Sequence, residues 1–360
     1  MKMNIAIIYG GKSAEHEISL MSAKNVFFNL NKERFNPVLI KITKSGNWVS
    51  DLESAINNTF SDIIDFEGYI PKDELFFDPG SEFPLVFKSN PEFKLTIDAV
   101  FPVLHGPNGE DGTVQGLLKL LNLPFVGPSL LGSALGMDKE VMKRLLKEGG
   151  IKIGNYISAR NGIFPEFEDV KSKLGLPVFI KPANMGSSVG ISKVRNNEQY
   201  IDAIKLAYKY DSKIVIEEFI EGREIECAVL GNENPAASIA GEIKATKDFY
   251  DYEAKYLDDK AYEIIIPAEI DQNVMENIRK VALKTFQILE CEGLSRVDVF
   301  LTMDNEIIVN EINTIPGFTS ISMYPMLWKN SGIEYQELIS KLIDFAVSRY
   351  IREKCLKTEF

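Results

Sequence analysis

The stretch that decides the fold is SRVDVFLTMDNEIIVNEINTIPG, residues 295–317. It contains two apolar runs, and the Asp-Asn pair at 304–305 between them favours a turn, so the stretch is predicted to form a β-hairpin. Apolar residues alternate with polar ones along both runs, which predicts that one face of the hairpin belongs to the core. The second run leads directly into a loop of turn-forming residues at 313–317.

Four polar side chains of this hairpin have spacings that suit a metal–nucleotide site. Side chains two residues apart share one face of a strand, so Arg296 lies with Asp298, and Glu311 lies with Asn313. If the two faces coincide, two carboxylates and an amide oxygen meet beside one guanidinium. Hard oxygen ligands from few protein groups suit Mg²⁺, which keeps its other positions for water and substrate phosphates. A surface hairpin with a polar, solvated face is the alternative interpretation.

Composition excludes several classes of protein. The chain has 360 residues, enough for two or three domains, and its net charge of −12 argues against unspecific binding to nucleic acid or anionic membranes. Three widely spaced cysteines fit a reducing cytoplasm, and no apolar run reaches the length of a membrane span. The two histidines, His16 and His105, are too few for a His-rich metal site. We therefore expect a cytoplasmic protein without nucleic-acid or membrane partners.

The order of the predicted elements indicates an α/β (α+β) fold. A strand at 4–9, a helix at about 15–30 and a strand at 35–43 form a βαβ unit, which predicts a parallel sheet. Ser13 is a candidate N-cap of the helix. Residues 51–95 look like an insertion, for which we expect two or three short elements and no chemistry. Further short strands are predicted at 97–104, 124–126, 153–159, 177–181, 189–194 and 213–219.

Three domains are predicted. We expect an N-terminal domain at 1–127, a central domain at 128–222 and a C-terminal domain at 223–360. The central domain should begin with a helix at 138–148 that is closed by two glycines. The C-terminal domain should carry the hairpin and a long helix at 272–290.

Residues 181–190 read KPANMGSSVG, a strand-terminal lysine followed by a Gly/Ser loop. Backbone N–H groups of such loops cradle phosphate oxygens, and a lysine neutralises their charge. An ordinary hairpin loop is the alternative. A P-loop is not indicated, because GKS at 11–13 lacks the glycine that the motif requires five residues before its Gly-Lys pair.

Three other segments are candidates for ligand contacts. IEEFIEGREIE, residues 216–226, predicts a strand, a turn and a strand; its backbone could face adenine, with Glu224 on the ribose, although an acidic solvated hairpin is the alternative. DFYDYEAKY, residues 248–256, is aromatic and aperiodic, as lids and recognition loops often are. His105 follows a strand, where open α/β sheets bind ligands, but a lone histidine is more often structural.

Together these motifs resemble the D-alanine–D-alanine ligases of the ATP-grasp superfamily. The resemblance covers nearly the whole chain, through GGKSAEHEISL, HGPNGEDGTVQG, SALGMDK, KPANMGSSVG, DFYDYEAKY, RVDVF and NEINTIPGFTSISMYP. It implies a three-domain ATP-grasp architecture with an N-terminal parallel-sheet domain and a nucleotide bound between the central and C-terminal domains. It also implies a cytoplasmic homodimer that joins two D-alanine molecules through D-alanyl phosphate, for peptidoglycan precursor synthesis. ATP and two Mg²⁺ ions are the implied cofactors, with Mn²⁺ as a substitute.

The resemblance also implies roles for individual residues. The implied nucleotide-binding residues are Lys139, Lys181, Glu217, Glu218, Ile220 and Glu224. The implied metal ligands are Asp298, Glu311 and Asn313. The implied catalytic residues are Glu15, Ser187 and Tyr256, as a hydrogen-bonded triad, and Arg296 and the Gly317 backbone at the oxyanion. The implied substrate-binding residues are His105, Lys255, Ser322 and Met323.

Two alternatives remain open from the sequence. One is another ATP-dependent carboxylate–amine ligase or an enzyme that makes D-alanyl-D-lactate, although Tyr256 favours the dipeptide. The other is a nucleotide-binding protein without catalysis, against which the complete set of ligands argues. Met185 stands where some members of the family carry an acidic residue, and we interpret it as a subgroup marker.

Overall fold

The computed structural model describes residues 2–63, 65–66, 68–245 and 262–357. Within these ranges the chain forms three β-sheets with helices packed against them, which confirms the predicted α/β (α+β) class. None of the helices in these ranges combines the length and apolar character that crossing a membrane requires.

The first sheet is mixed. In the described ranges its strand order is β5-β4-β3-β2-β1-β6. The strands are β1 (Met3–Gly10), β2 (Phe35–Ile42), β3 (Trp48–Ser50), β4 (Asp73–Phe77), β5 (Leu85–Phe87) and β6 (Ala99–Val103). β1 pairs in parallel with β2 and β6, as the βαβ unit predicts, whereas β2 to β5 pair antiparallel. The prediction of a parallel sheet is therefore correct only for its central strands.

The antiparallel extension comes largely from the predicted insertion. Its described part holds four short elements, α2 (Leu52–Asn57), a 3₁₀ turn (Phe60–Asp62), β4 and β5, so the expectation of two or three was too low. At the other side of the sheet, 124–126 is wrong as a strand, because Phe125 makes only an isolated bridge with Val100.

Helix α1 (His16–Asn29) follows β1. Ser13 is not its N-cap: the helix is preceded by Glu15, and the Ser13 hydroxyl instead accepts a hydrogen bond from the Glu15 N–H at 3.1 Å. Ser13 thus stabilises the turn before the helix. The carboxyl end of β1 and the start of α1 lie beside the end of β6, which brings Glu15 close to His105.

The second sheet is antiparallel, with the order β7-β10-β8-β9. Its strands are β7 (Tyr156–Arg160), β8 (Val178–Pro182), β9 (Ser192–Val194) and β10 (Lys213–Glu218). Helices α6 (Phe167–Leu174) and α7 (Asn197–Ala207) cover one face and share a core with Val178, Ile180 and Ile214. Three helices connect this sheet to the first, α3 (Thr113–Leu120), α4 (Leu130–Met137) and α5 (Lys139–Glu148); α4 and α6 were not predicted.

The third sheet has the order β13-β12-β11-β14-β15 within the described ranges. Its strands are β11 (Arg223–Gly231), β12 (Ala236–Ala245), β13 (Tyr262–Ile265), β14 (Gly293–Leu301) and β15 (Ile307–Asn313). Its helices are α8 (Gln272–Ile288), α9 (Met323–Asn330) and α10 (Tyr335–Lys354). The segment at 216–226 is strand, turn and strand as predicted, but β10 and β11 belong to different sheets, so the solvated-hairpin alternative is wrong.

The predicted hairpin is confirmed in its register. β14 and β15 pair antiparallel, with Asp298 opposite Glu311 and Arg296 opposite Asn313. Asn305 occupies the turn with a φ of 60°, a left-handed conformation that asparagine tolerates better than most residues. The four polar side chains of the hairpin therefore share one face.

Helix α10 fixes the third sheet to the first. Arg349 is buried and donates hydrogen bonds to the Gly127 and Phe125 carbonyls, at 2.5 and 2.7 Å. Phe318, in the loop after β15, packs edge-on against Phe101 of β6 with ring centroids 5.5 Å apart. These contacts hold β6 and the segment at 125–127 against α10 and the loop that follows the hairpin.

Candidate active site

One cavity collects the predicted site residues. It has a volume of about 760 Å³ and lies where the three sheets meet. Every predicted site residue within the described ranges lines it: Glu15, His105, Lys139, Lys181, Ser187, Glu217, Glu218, Ile220, Glu224, Arg296, Asp298, Glu311, Asn313, Gly317, Ser322 and Met323. Lys255, Tyr256 and the predicted lid at 248–256 lie outside the described residues.

The hairpin supplies one wall of the cavity. Asn313 donates through its Nδ2 to Asp298 Oδ2 at 2.8 Å, and Glu311 lies directly opposite Asp298 on the paired strand. Within the described ranges no group of three or more His, Cys, Asp or Glu residues could hold a metal ion. The hairpin offers the carboxylates of Asp298 and Glu311 and the amide oxygen of Asn313. That donor set fits a hard cation such as Mg²⁺, which takes its remaining oxygens from water and phosphates.

Arg296 is buried among carboxylates. Its Nε and Nη2 bind the two oxygens of Asp298 at 2.7 Å each, and its Nε also lies 2.8 Å from Glu226 Oε2. Burial alone would lower the pKa of Arg296, but Asp298 and Glu226 raise this pKa above its ordinary value. The guanidinium is therefore a fixed positive charge on the cavity wall. Glu226, which the sequence did not single out, completes its support.

Two lysines enter the cavity from the central segment. Lys139 begins α5, and its Nζ donates to the Met185 carbonyl at 2.7 Å and lies 3.4 Å from Glu311 Oε2. Lys181 lies on β8, and its Nζ donates to Glu217 Oε2 at 2.9 Å. Both are nearly buried, so two positive charges lie inside the cavity beside the carboxylate face of the hairpin.

A third lysine, Lys143, is a site residue that the sequence analysis missed. It is only 1% exposed, and its Nζ lies 3.3 Å from Glu217 Oε1, so Glu217 is held between Lys143 and Lys181. Burial lowers the pKa of Lys143. Burial would raise the pKa of Glu217, but the two lysines lower this pKa to about 2. The i, i+4 spacing from Lys139 was a signal for Lys143, because such residues share one helix face.

This buried triad should make stability depend on pH through Glu217. The folded-state pKa of Glu217 lies below its ordinary 4.5, so its charge stabilises the fold above pH 4.5, and this contribution is lost as the pH falls towards 2. We expect Glu217→Gln to be less stable than wild type at pH 7, because it leaves two buried lysines without their counter-charge. The difference in unfolding free energy between wild type and Glu217→Gln should become smaller as the pH falls from 4.5 to 2.

Denaturant unfolding of both proteins at each pH measures that gap. Glu221→Gln serves as the matched control, since Glu221 belongs to the same segment but is exposed, and it should leave stability at pH 7 unchanged. A gap that stays constant down to pH 2 would show that Glu217 does not carry the proposed charge.

The Gly/Ser loop after β8 reaches the first sheet. The Ser187 hydroxyl donates a hydrogen bond to Glu15 Oε1, although the two residues are 172 positions apart. Ser187 and Ser188 both have left-handed backbones, with φ of 49° and 59°, a conformation that costs free energy for residues other than glycine and often occurs at functional sites. The hydrogen bond that was predicted between Glu15 and Ser187 is therefore present; a catalytic role of the two residues stays a prediction.

Buried His105 and half-buried Glu110 form a second pair beside Glu15. His105 Nδ1 lies 3.6 Å from Glu110 Oε1, and the Gly106 N–H donates to Glu110 Oε2 at 3.1 Å. Burial, with Glu15 nearby, raises the pKa of Glu110. Gly106 has a φ of 77°, and a Cβ there would lie 2.7 Å from Glu15 Oε2, so only glycine fits. Glu110 is, after Glu226 and Lys143, the third residue that sequence reasoning left without a role.

The segment between β10 and β11 borders the other end of the cavity. The Glu218 carboxylate accepts hydrogen bonds from the Asn155 N–H and Nδ2, at 2.7 and 2.9 Å. Ile220 packs against Gly154, and Glu224 lies exposed at the margin. The Glu218 N–H also donates to the Asn155 carbonyl at 3.1 Å, so the side chain and the N–H of Glu218 are both bonded within the protein.

The loop after the hairpin forms the remaining wall. Ser322 Oγ accepts from the Thr319 N–H at 2.9 Å, and a Cβ on Gly317 would lie 2.7 Å from this oxygen. Met323 begins α9, and its side chain is buried in the core. Met323 lines the cavity as the first residue of this helix, where backbone N–H groups have no partner within the helix.

One cavity between three sheets is lined by lysines, carboxylates and a Gly/Ser loop. This arrangement defines a class of protein, the ATP-grasp ligases. The solved D-alanine–D-alanine ligase of Coxiella burnetii has a TM-score of 0.83 with this chain at 34% identity, covering 98% of this chain and 97% of the other. The VanG D-Ala:D-Ser ligase of Enterococcus faecalis has a TM-score of 0.84 at 38% identity, covering 96% and 100%. The fold is therefore that of these ligases.

The family follows from the sequence comparisons. Family models described as D-ala D-ala ligase N-terminus and C-terminus match residues 4–128 and 145–344. The D-alanine–D-alanine ligase of Oceanobacillus iheyensis is 50% identical over 364 residues, 99% of each chain. Ligase A of Salmonella typhimurium is 48% identical over 361 residues, again 99% of each chain. The chain belongs to the D-alanine–D-alanine ligase family, and the resemblance seen in its motifs is confirmed.

Proposed function

We propose that this chain joins two D-alanine molecules to D-alanyl-D-alanine at the expense of ATP, through a D-alanyl phosphate, for peptidoglycan precursor synthesis. The observation that carries the proposal is the single cavity. It brings together Glu15, which precedes α1, Lys181 of the second sheet and Glu311 of the third. This reaction needs three kinds of group in one place. They are a carboxylate that binds an ammonium group, lysines that bind phosphates, and a carboxylate face that binds a cation.

The first step activates a carboxylate. An oxygen of the first D-alanine carboxylate attacks the γ-phosphorus of ATP, and ADP leaves. Lys139 and Lys181 neutralise the phosphate oxygens, which is mainly positioning and electrostatic stabilisation. Glu15, held by Ser187, binds the ammonium group of this D-alanine, with His105 nearby. Glu217, the backbone at Glu218 and Ile220, and Glu224 hold the nucleoside.

Asp298, Glu311 and Asn313 would hold two Mg²⁺ ions, for which Mn²⁺ can substitute. When bound, these ions supply neutralisation of the phosphate charge. Arg296 donates a hydrogen bond to Asp298, so the same face of the hairpin also carries a positive charge for the oxyanion that forms in the second step.

The second step forms the peptide bond. The neutral amine of the second D-alanine attacks the carbonyl carbon of D-alanyl phosphate. Inorganic phosphate leaves with the activated carboxylate oxygen and takes up the proton that the nitrogen loses. Arg296 and the Gly317 backbone stabilise the tetrahedral oxyanion, while Ser322 and the Met323 N–H receive the carboxylate of the second substrate. Lys255 and Tyr256, from the segment at 248–256, are proposed from the sequence to close the cavity against water.

The organisation of the chain is part of this proposal. We place domain boundaries near residues 127 and 222, giving 1–127, 128–222 and 223–360, with the nucleotide between the second and third domains. A cytoplasmic homodimer is proposed from the family resemblance and the composition. Sedimentation equilibrium of the purified protein tests the dimer, and a monomer at micromolar concentration would contradict it.

D-Serine is a second candidate for the nucleophile. The observation that favours it is the 38% identity with a D-Ala:D-Ser ligase, whose whole length this chain matches. D-Lactate is the alternative that the sequence left open, against which Tyr256 argues. The proposed preference is for D-alanine.

ADP release by the purified protein tests the proposal. We expect ADP only when D-alanine is added, with D-alanyl-D-alanine as the main product when D-alanine, D-serine and D-lactate compete at equal concentrations. ADP release that does not depend on D-alanine would contradict the ligase. A mixed product rich in D-serine or D-lactate would contradict the proposed second substrate only.

A further inference from the structure

Ser22 lies on α1, is fully buried, and is not among the residues that line the cavity. Its hydroxyl oxygen lies 3.2 Å from His105 Nε2 and accepts a hydrogen bond from the Phe318 N–H at 3.3 Å. The hydroxyl therefore joins the end of the first sheet to the loop after the hairpin, 296 positions away in the sequence. A helix serine on a core-facing position would otherwise be expected only to bond its own helix backbone.

Both backbone groups of Phe318 are held by side chains from different helices, one buried and one half-buried. Ser22 of α1 binds its N–H, and the Tyr335 hydroxyl of α10 donates to its carbonyl at 2.6 Å. Its ring is fully buried and packs on Phe101 and Tyr324. The peptide bond that follows Gly317 is thus fixed in orientation.

The other end of this loop is attached to the same group of residues. The Thr314 hydroxyl donates to the Glu110 carbonyl at 3.2 Å, and Glu110 in turn lies against His105. The segment from 314 to 318 is therefore anchored at both ends to the His105–Glu110 pair, once through Glu110 directly and once through Ser22.

The hydrogen-bonding capacity of Ser22 allows it to bind both partners at once. A serine hydroxyl has one proton and two lone pairs. Its oxygen accepts from the Phe318 N–H and lies within hydrogen-bond distance of His105 Nε2. Burial would lower the pKa of His105, but Glu110, Glu15 and the Ile315 backbone raise this pKa. His105 is therefore linked to Phe318 through Ser22 and to Glu110 directly.

We propose that Ser22 is a positioning residue, which ties His105 to the Phe318 amide and so holds the Gly317 backbone at the place where the oxyanion forms. This inference rests on the proposed function for its catalytic meaning. The link itself is a property of the fold that can be measured without substrate.

A matched control lies one helical turn earlier. Ser19 is also fully buried on α1, accepts a hydrogen bond from the Gly10 N–H at 2.8 Å and donates to the Val103 carbonyl. It therefore loses as many hydrogen bonds as Ser22 on mutation to alanine, but none of them reaches the loop at 314–318. A purely structural role of Ser22 would make the two variants behave alike.

The test compares Ser22→Ala and Ser19→Ala. We expect S22A to lower kcat about tenfold, the equivalent of one lost hydrogen bond of about 1.4 kcal/mol, while KM for ATP stays within about twofold. S19A should keep kcat within about twofold. Hydrogen–deuterium exchange of peptides covering 314–322, without ligands, should be faster in S22A only. If S22A does not fold, S22C carries the same comparison, because a thiol is a weaker donor and acceptor.

Equal kcat values and equal exchange rates for S22A and S19A would overturn the inference. Faster exchange in S22A with an unchanged kcat would also overturn the inference, because Ser22 would then anchor the loop without affecting catalysis. If wild type makes no dipeptide but S22A still exchanges faster, the proposed function fails and the link through Ser22 stands.

Discussion

Glu311→Gln should reduce ATP turnover about 100-fold or more while leaving the protein folded. Glu311 is one of two carboxylates that face each other across the hairpin, and the change replaces a proposed anionic metal ligand by a neutral amide of the same shape. The proposed site would bind Mg²⁺ through very few protein groups, so it should not compensate for that loss. The measurement is ADP release at saturating Mg²⁺ and D-alanine, with circular dichroism to confirm folding.

Glu306→Gln is the matched control for this change. Glu306 belongs to the same hairpin but is exposed, and it pairs with Lys152 at 2.5 Å on the outside of the molecule. Its variant should turn over ATP at the rate of wild type. Normal turnover in a folded E311Q protein would remove Glu311 from the metal site.

Arg296→Lys should lower kcat roughly 10²–10³-fold, the typical loss when one oxyanion donor is removed. Lysine keeps the charge but cannot bind both oxygens of Asp298 and the Glu226 carboxylate in one plane, as the guanidinium does. We also expect some loss of stability, because Glu226 is buried and would be paired less well. Initial rates over a range of D-alanine concentrations give kcat, and thermal unfolding gives the stability.

Arg279→Lys is the control that separates a loss of activity from a loss of stability. Arg279 lies on α8, donates to the Ala237 carbonyl and pairs with Glu276 at 2.8 Å, and it does not line the cavity. Its variant should lose a little stability and no activity. If R296K retains a normal kcat, the positive charge alone suffices, and the proposed geometry of the oxyanion site is wrong.

The sequence was most informative where a local rule fixes geometry. The alternation of polar and apolar residues in 295–317 predicts which side chains share a face, and the register of β14 and β15 confirms it. A turn at Asn305 is similarly a local property. The motif resemblance supplied the rest of the site, and all of the described residues that it names line one cavity.

The sequence failed where a residue depends on a partner far along the chain. In the sequence, Lys143 looks like any other lysine on an amphipathic helix. Its burial is explained only by its contact with Glu217 of the second sheet. The turn at 219–222 looks like a hairpin connection, but the strands on either side pair with partners that no local pattern specifies. Ser22 likewise gains its contacts from His105 and Phe318, which tertiary packing alone brings together.

Transfer of oxygen from D-alanine to phosphate tests the central claim most directly. D-Alanine labelled with ¹⁸O in its carboxylate is incubated with ATP, Mg²⁺ and the enzyme, and the inorganic phosphate and dipeptide are analysed by mass spectrometry. Activation through D-alanyl phosphate predicts one ¹⁸O atom in each phosphate released, with one ADP formed per D-alanyl-D-alanine. Unlabelled phosphate, or ADP formed without dipeptide, would contradict the ligation mechanism.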